Sequence, residues 1–297
     1  MKLETREEKV VTALAHIVMI LFSALAVIPF WLLIAASFSS ETYATQYGYK
    51  FFPQELSLSA YEYLFARGDQ IGMAYLITII VTVIGTGVGL LAISLLAYGL
   101  VQKDIPGVRV VFILILITML FNGGLVPQYL IYSNTLHVKN TLFALILPNL
   151  LMSGFTVILV KNYFQSNIPG EMLEAAEIDG AGQFNIFFRL VFPLSTPILA
   201  TVGLMSAVSY WNDWQNGLYY ITDHNLYSLQ QLLNEMNNNI QYLANNASNL
   251  AGFDTSTLPS VTIRLAIAVV AIVPIMCIYP FFQKYFAKGI TMGSVKG

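Results

Sequence analysis

Six long apolar stretches dominate this 297-residue chain and restrict how it can fold. A helix needs roughly 20 apolar residues to cross the ~30 Å hydrocarbon core of a bilayer. Stretches of this kind are predicted at 12–38, 73–100, 109–130, 141–162, 192–213 and 259–283. Only 10% of the residues are charged, against about 25% in an average soluble domain. The sequence therefore predicts an all-α polytopic membrane protein with six transmembrane helices, in a single domain that covers 1–297.

The distribution of Lys and Arg predicts the orientation of these spans. With the N-terminus inside, ten of the fourteen basic residues fall in inner segments: Lys2, Arg6, Lys9, Lys103, Arg109, Lys161, Arg189, Lys284, Lys288 and Lys296. The outer segments hold Lys50, Arg67, Lys139 and Arg264. Cytoplasmic segments of membrane proteins carry an excess of Lys and Arg. Both termini are therefore predicted to lie in the cytoplasm, and the chain to be a multi-pass protein of the cell (inner or cytoplasmic) membrane.

Several classes of function are disfavoured by what the sequence lacks. The net charge of −2, without a Lys/Arg tract, gives no support for nucleic acid as a partner. Cys277 is the only cysteine, which excludes disulfides and Cys-based metal sites within the chain. No G-x-x-x-x-G-K-[ST] segment is present to hold the phosphates of ATP. No metal-ligand cluster or nucleophile–base pair stands out, so the chain is predicted to have no catalytic residue, metal or cofactor of its own.

One inner segment, 165–191, concentrates acidic residues between two apolar stretches, and we call it the acidic loop. Glu171, Glu174, Glu177 and Asp179 fall within nine residues. A helix is predicted there, with Gly180 ending it in a left-handed conformation. Met172, Ala175 and Ala176 are predicted to form its small apolar face, and "QFNIFFRLVF" to form a second short helix. A hairpin lying on lipid would instead carry Lys and Arg, so the acidic residues favour contact with a protein.

The outer segment 214–258 is long and polar, and contains "NEMNNNIQYLANNASN". It has no Lys or Arg between Trp214 and Val261. Contact with an external partner and a simply solvated loop both remain open for it.

The acidic loop resembles the EAA loop of ABC importer permeases, whose pattern is E-A-A, three residues, G, and later an I/L-x-L-P ending. Glu174, Ala175, Ala176 and Gly180 match this pattern, and Asp179 and Ala181 add its "DGA" form. The ending 190–193 keeps the proline and departs from the pattern before it. The resemblance extends over nearly the whole chain. "WNDW" and the C-terminal "YPFFQKYFAKGITMGSVKG" resemble carbohydrate-type, maltose permease-like subunits, and most resemble the branch for complex or plant-derived oligosaccharides.

This resemblance implies a type I ABC importer permease fold and a function in sugar import. The partners it implies are a homologous permease subunit in a heterodimer, two copies of an ABC ATPase, and an extracellular or periplasmic sugar-binding protein. ATP and Mg²⁺ would be bound by the ATPase, which would be coupled to this chain through the acidic loop. The residues implied in that coupling are Glu171, Glu174, Ala175, Ala176, Asp179, Gly180 and Ala181.

Two segments are candidates for the path of a sugar, because each places aromatic and hydrogen-bonding side chains near a span. The first is "YWNDW", with Tyr210, Trp211, Asn212, Asp213 and Trp214. The second lies beside the Gly123–Gly124 pair that breaks the third span, with Asn122 and Tyr129. Interfacial Trp and Tyr residues are also common as anchors, so a structural role for "YWNDW" stays open.

Three alternatives to a sugar permease also stay open. One is an ABC permease for a non-sugar solute, and another is a membrane scaffold or receptor that transports nothing. The third is a secondary transporter driven by an ion gradient. Such transporters often have charges at the middle of the membrane, whereas the interiors of the predicted spans are almost free of acidic residues.

Overall fold

The computed structural model describes residues 6–102, 105–245 and 260–294. In chain order its α-helices are α1 (Arg6–Ser37), α2 (Glu41–Tyr47), α3 (Ser59–Phe65), α4 (Gly68–Val101), α5 (Val108–Leu120), α6 (Leu125–Leu130), α7 (Phe143–Ile146), α8 (Gly154–Asn167), α9 (Gly170–Ile178), α10 (Gln183–Ile186), α11 (Phe192–Leu194), α12 (Thr196–Trp211), α13 (Gln215–Tyr220), α14 (Leu229–Asn245) and α15 (Ser260–Ser294). Single π-helical turns follow α6 and α10 at Ile131–Thr135 and Phe187–Val191. The all-α prediction is confirmed.

Two helices are long and apolar enough to cross a membrane unbroken, at Val10–Ser37 and Gly68–Val101. Two further pairs qualify if each bent pair forms one span. The first, Val108–Leu120 with Leu125–Thr135, bends by 119°, and the second, Gln183–Leu194 with Thr196–Trp211, bends by 79°. The first bend contains the predicted glycine break, where Gly124 has φ +87°. A shorter apolar helix covers Val261–Cys277, and residue 259, where the sixth predicted span begins, lies outside the described residues.

The stretch predicted as the fourth span, 141–162, does not form one continuous helix. It falls on α7 and α8, with a non-helical segment at 147–153 between them. Pro148 lacks the N–H that a continuing helix would need, and Asn149 has φ +61°. Asn is one of the few non-glycine residues that adopt this left-handed conformation readily. The chain is thereby bent inside an apolar stretch.

The chain groups into two compact units, and the first consists of the described residues within 1–68 and 235–273. In this unit the Glu41 carboxylate accepts hydrogen bonds from the N–H groups of Val261 and Thr262, at 2.9 and 2.8 Å. The Thr262 hydroxyl donates to the same carboxylate at 2.8 Å. These N–H groups belong to the first turn of α15 and have no acceptor within their own helix. Glu41 therefore caps α15 from a distant part of the sequence.

The second unit consists of the described residues within 69–234 and 274–297. Its apolar core joins α4, α8, α12 and the segment from α10 to the following π-helical turn. The most buried members are Ile93, Ala97, Val157, Val160, Ile186, Phe187, Val191 and Val202. The core thus holds the end of the acidic loop against three of the long apolar helices.

Two glycines of α4 allow close packing in this unit. A Cβ atom at Gly85 would overlap the Tyr210 ring, and one at Gly89 would lie 2.7 Å from the Leu151 carbonyl oxygen. Small residues four apart are a common means of close packing in membrane helices. The Tyr210 hydroxyl also donates to the Ile146 carbonyl at 3.0 Å. The break between α7 and α8 is therefore held by Tyr210 and by the glycine face of α4.

Candidate functional site

The acidic loop contains a nine-residue helix, α9, that ends at a left-handed glycine. Gly180 has φ +80°. Its N–H donates to the Glu177 carbonyl at 2.9 Å, and the Ala181 N–H donates to the Ala176 carbonyl at 3.0 Å. This pair of hydrogen bonds is the Schellman motif, which satisfies carbonyls at a helix end. The sequence predicted that Gly180 ends this helix in a left-handed conformation, and the structure confirms it.

The two sides of α9 differ in what they contact. Met172, Leu173 and Ala176 are half-buried and pack on the core of the second unit. Ala175, by contrast, is exposed. Of the three residues predicted to form a small apolar face, Met172 and Ala176 contact the core together with Leu173, whereas Ala175 does not. Ala175 is left on the outward side, where a small residue lets another backbone approach closely.

The outward side of α9 is acidic. Exposed residues of this side and of the turn after it are Glu171, Glu174, Ala175, Asp179 and Gly180. Within the described ranges, no Lys or Arg forms an ion pair with any of the four acidic side chains of the acidic loop. Glu171 lies in the first turn of α9, where the helix dipole favours a negative charge. The structure thus presents uncompensated carboxylates beside a small-residue surface.

Gln183 connects α9 to the end of α4. Its amide Nε2 donates to the Glu177 carboxylate at 2.7 Å. Its Oε1 accepts from the Tyr98 hydroxyl at 2.6 Å and from the Gln102 amide at 3.4 Å. We call this set the Gln183 bridge. The bridge was not predicted from the sequence, because Gln183 lies more than 80 residues from both Tyr98 and Gln102 and no local pattern marks the contact.

A cavity of about 590 Å³ lies beside the Gln183 bridge. Its lining residues are Leu95, Tyr98, Gly99, Gln102, Ile105, Glu177, Gln183, Phe184 and Phe187. Phe184 is 75% exposed. The acidic loop therefore stands partly clear of the helices beneath it and is joined to them by Gln183 and by the core residues Ile186 and Phe187.

No group of three or more His, Cys, Asp or Glu side chains suited to a metal ion occurs among the described residues. His16 lies in α1, where its Nδ1 is 2.7 Å from the Thr12 carbonyl oxygen.

The residues of "YWNDW" fall in different environments. Tyr210 and Trp211 are buried, and the Trp211 ring centroid lies 6.2 Å from that of Tyr75. Asp213 accepts hydrogen bonds from the N–H groups of Gln215 and Asn216, at 3.2 and 3.3 Å, and so caps α13. Asn212 and Trp214 are exposed. Packing and capping thus account for three of the five residues.

The other proposed path residues lie along the bent third stretch. The Asn122 side chain accepts from the Gly124 N–H at 2.8 Å and so stabilises the bend. The Tyr129 ring is stacked on Tyr220, with 5.6 Å between centroids. The outer segment 214–258 contains α13, a 3-10 turn at His224–Leu226 and α14. Its residues 246–258 lie outside the described residues.

Residues 5–292 match the family model described as "Binding-protein-dependent transport system inner membrane component". One relative is the polygalacturonan/rhamnogalacturonan transport system permease protein YtcP of Bacillus subtilis. It is 39% identical over 279 residues, which cover 94% of this chain and 96% of the relative. The melibiose/raffinose/stachyose import permease protein MelC of the same organism is 29% identical over 296 residues, which cover 99% of this chain and 98% of MelC.

A solved structure has the same fold. It is the crystal structure of a bacterial ABC transporter involved in the import of the acidic polysaccharide alginate. Its similar chain superposes with a TM-score of 0.78 and 27% sequence identity, over 96% of this chain and 100% of that one.

Proposed function

The chain belongs to the family of binding-protein-dependent transport system inner membrane components, and on that premise we propose that it is the permease subunit of an ATP-driven saccharide importer. Members of this family are membrane components, so the chain is a permease with the type I ABC importer permease fold and not an ATPase. The single observation that carries the proposal beyond the family is the exposed acidic side of α9, at the position of the EAA pattern.

The saccharide part of the proposal is supported by what the relatives transport. Among the relatives, YtcP is named for polygalacturonan and rhamnogalacturonan, MelC for melibiose, raffinose and stachyose, and AraQ for arabinooligosaccharides. The chain covers more than nine tenths of YtcP and MelC. A di- or oligosaccharide is therefore the proposed substrate class.

The proposed assembly contains partners that bind on both sides of the membrane. A second, homologous permease would complete the transmembrane path as a heterodimer. Two ABC ATPase subunits would bind ATP and Mg²⁺ on the inner side, and a sugar-binding protein would deliver substrate on the outer side. The ten-to-four distribution of Lys and Arg supports placement of both termini and the acidic loop in the cytoplasm.

The proposed coupling residues are Glu171, Glu174, Ala175, Ala176, Asp179, Gly180 and Ala181. Glu171, Glu174 and Asp179 would pair with basic groups of the ATPase, while Ala175 would permit a close backbone approach. Ala176 and Ala181 pack against the core and would transmit the movement. Nucleotide-driven closure of the ATPases would then move α9 and shift the permease between outward- and inward-facing populations.

Among the predicted path residues, we propose that Asn122, Tyr129, Asn212 and Trp214 remain candidates for contact with solute, because Asn122, Asn212 and Trp214 are exposed and Tyr129 is half-buried in the helix after the bend. Tyr210, Trp211 and Asp213 would support the path through packing and capping.

The test is uptake by the purified importer in liposomes, with its binding protein outside and either ATP or an ion gradient supplied. A panel of neutral and acidic oligosaccharides is compared with amino acids. ATP-dependent uptake of an oligosaccharide supports the proposal. Uptake that persists on an ion gradient without ATP, or that is confined to amino acids, contradicts it.

A further inference from the structure

We propose that a small cavity beside the break between α7 and α8, lined by both polar and apolar side chains, holds one uncharged sugar unit of the substrate during transport. The inference rests on the proposed function, since it names where the saccharide contacts this chain. The cavity has a volume of about 190 Å³ and lies between the start of α8 and the second half of α12. Its lining residues are Ile93, Asn149, Leu150, Ser153, Phe155, Thr156, Met205, Ser206 and Ser209. Pockets that enclose drug-sized ligands have volumes of about 300–1,000 Å³. This cavity is smaller, so its size suits a single unit of an oligosaccharide and not the whole molecule.

Three polar side chains of this cavity have no hydrogen bond to any other described residue: Asn149, Ser153 and Ser206. The hydroxyl groups of Thr156 and Ser209 donate to backbone carbonyls, at 2.8 and 2.9 Å, and keep lone pairs that can accept. Polar groups without partners are costly in an apolar environment. In membrane spans such groups face a protein interior or a water-filled cavity. Asn149 and Ser153 are exposed and Ser206 is half-buried, so these polar groups are accessible to a solute, and their grouping favours a solute path over a lipid-facing surface.

The non-helical backbone between α7 and α8 also favours a solute path. Non-helical backbone within a membrane is tolerated where it is buried in protein or lines a cavity. Asn149, at φ +61°, lies in the non-helical segment, and Ser153 immediately precedes α8. The carbonyl groups of Ile146 and Pro148 accept from Tyr210 and Asn216. The break is thus built into the fold, with its carbonyls satisfied on one side while the Asn149 and Ser153 side chains face the cavity.

The chemistry of the lining selects an uncharged solute that has both hydroxyl groups and an apolar face. The nine lining residues include no acidic or basic side chain. A carboxylate would lose its hydration there without a cation to replace it. Phe155 is 54% and Met205 42% exposed, so both offer apolar surface. A pyranose ring meets these requirements, because its hydroxyl groups surround a ring with an apolar C–H face.

The depth of the cavity fits a transport site. Ser153, at the cavity, lies twelve residues before the acidic loop begins at 165, and at about 1.5 Å per residue this is about 18 Å along α8. The hydrocarbon core is about 30 Å thick, so the cavity lies within the membrane.

Cysteine labelling tests the site directly. Ser206→Cys is placed in a Cys277→Ser background of the full importer, in detergent and without nucleotide, and exposed to a water-soluble maleimide. We expect labelling that raffinose or stachyose slows and digalacturonate does not. Thr201→Cys is the matched control, because Thr201 lies on α12 outside the cavity and its hydroxyl donates to the Pro197 carbonyl. Ser209→Cys is used if the first variant does not assemble.

Absence of labelling at both positions, labelling that no neutral sugar slows, or protection by digalacturonate alone would overturn the proposal. These outcomes are distinct from failure of the proposed function, which would appear as wild-type importer that takes up no saccharide.

Uptake kinetics give a second readout. Asn149→Gly removes the amide while keeping a residue that tolerates positive φ, and it is combined with Ser206→Ala. We expect the half-saturating concentration of the transported sugar to rise about tenfold, with ATPase stimulation by the binding protein retained. Thr201→Val should leave both unchanged. Unchanged saturation in the double variant, with wild-type uptake intact, contradicts the proposal.

Discussion

Glu174 combines the properties expected of a residue that contacts a partner subunit. It is exposed on the outward side of α9, next to exposed Ala175, and no described basic side chain neutralises it. A side chain of this kind does little to stabilise the chain that carries it, because exposed charges contribute little to stability. Its effect is therefore expected in the assembly and not in folding.

Glu174→Lys should leave the protein in the membrane and abolish ATP-dependent uptake, because a cation would meet the basic groups that the carboxylate is proposed to pair with. Recovery of the ATPase subunit by affinity purification, together with uptake, measures the effect. Glu62→Lys is the matched control, since Glu62 is an exposed residue of α3. Normal uptake and normal ATPase recovery in Glu174→Lys would argue against a docking role for α9.

Gly180→Pro should have the same result for a different reason. Proline fixes φ near −65°, whereas Gly180 has φ +80°, so the Schellman turn cannot form and the outward residues of α9 are displaced. Gly170→Ala serves as the control, since a Cβ atom there meets nothing within 4 Å. Uptake of Gly180→Pro at the control level would show that this turn is not needed.

Gly85→Ala should lower the thermal stability of the detergent-solubilised protein, because the added Cβ overlaps the buried Tyr210 ring. Overpacking of this kind costs about 1–3 kcal/mol. Gly87→Ala on the same helix is the matched control, since nothing lies within 4 Å of its added Cβ. Equal unfolding temperatures for the two variants would contradict the packing of α4 on Tyr210.

The Gln183 bridge joins α9 to the end of α4, and we expect it to couple the movements of these two elements. A coupling device requires such a connection, because a helix that moved alone would not alter the spans. Hydrogen bonds to a charged group contribute about 1.5–3 kcal/mol, and the bond from Gln183 to Glu177 is of this kind. We therefore propose the bridge as a positioning contact, which acts on transport through α9.

Gln183→Leu should reduce uptake several-fold while ATPase subunits still bind, since the outward side of α9 is unchanged. ATP hydrolysis should depend less on the loaded binding protein than in the wild type. Asn185→Leu, at an exposed neighbouring position, is the control. A Gln183→Leu importer with normal uptake and normal stimulation would show that the bridge has no part in coupling.

Local signals account for the elements that sequence reasoning predicted well. The acidic residues, Gly180 and the E-A-A spacing are close together in the chain, and they predicted α9 and its end. The break at Pro148 was not predicted, because apolar residues surround it and proline is tolerated within membrane helices. The Gln183 bridge and the cap of α15 by Glu41 join residues far apart in the sequence, and only the fold brings them together.

At the scale of the whole molecule, the composition predicted an all-α membrane protein, and the helices and the family match confirm it. The helices of the structure give the number of complete spans less clearly than they give the fold class. Among the described residues, two unbroken helices are long and apolar enough to cross, two bent pairs add up to two more if each pair is one span, and the stretch 141–162 is broken at Pro148. The predicted count of six, the single domain and the inner position of both termini stay predictions that follow from hydropathy and the distribution of Lys and Arg.

Labelling of Glu174→Cys in the Cys277→Ser background tests whether the acidic loop meets an ATPase on the cytoplasmic side. A membrane-impermeant maleimide is added to intact cells, to permeabilised cells and to permeabilised cells with excess ATPase subunit. We expect no labelling in intact cells, labelling after permeabilisation and protection by the ATPase. Labelling of Glu174→Cys in intact cells would place α9 outside the cell, where it could not dock on a cytoplasmic ATPase.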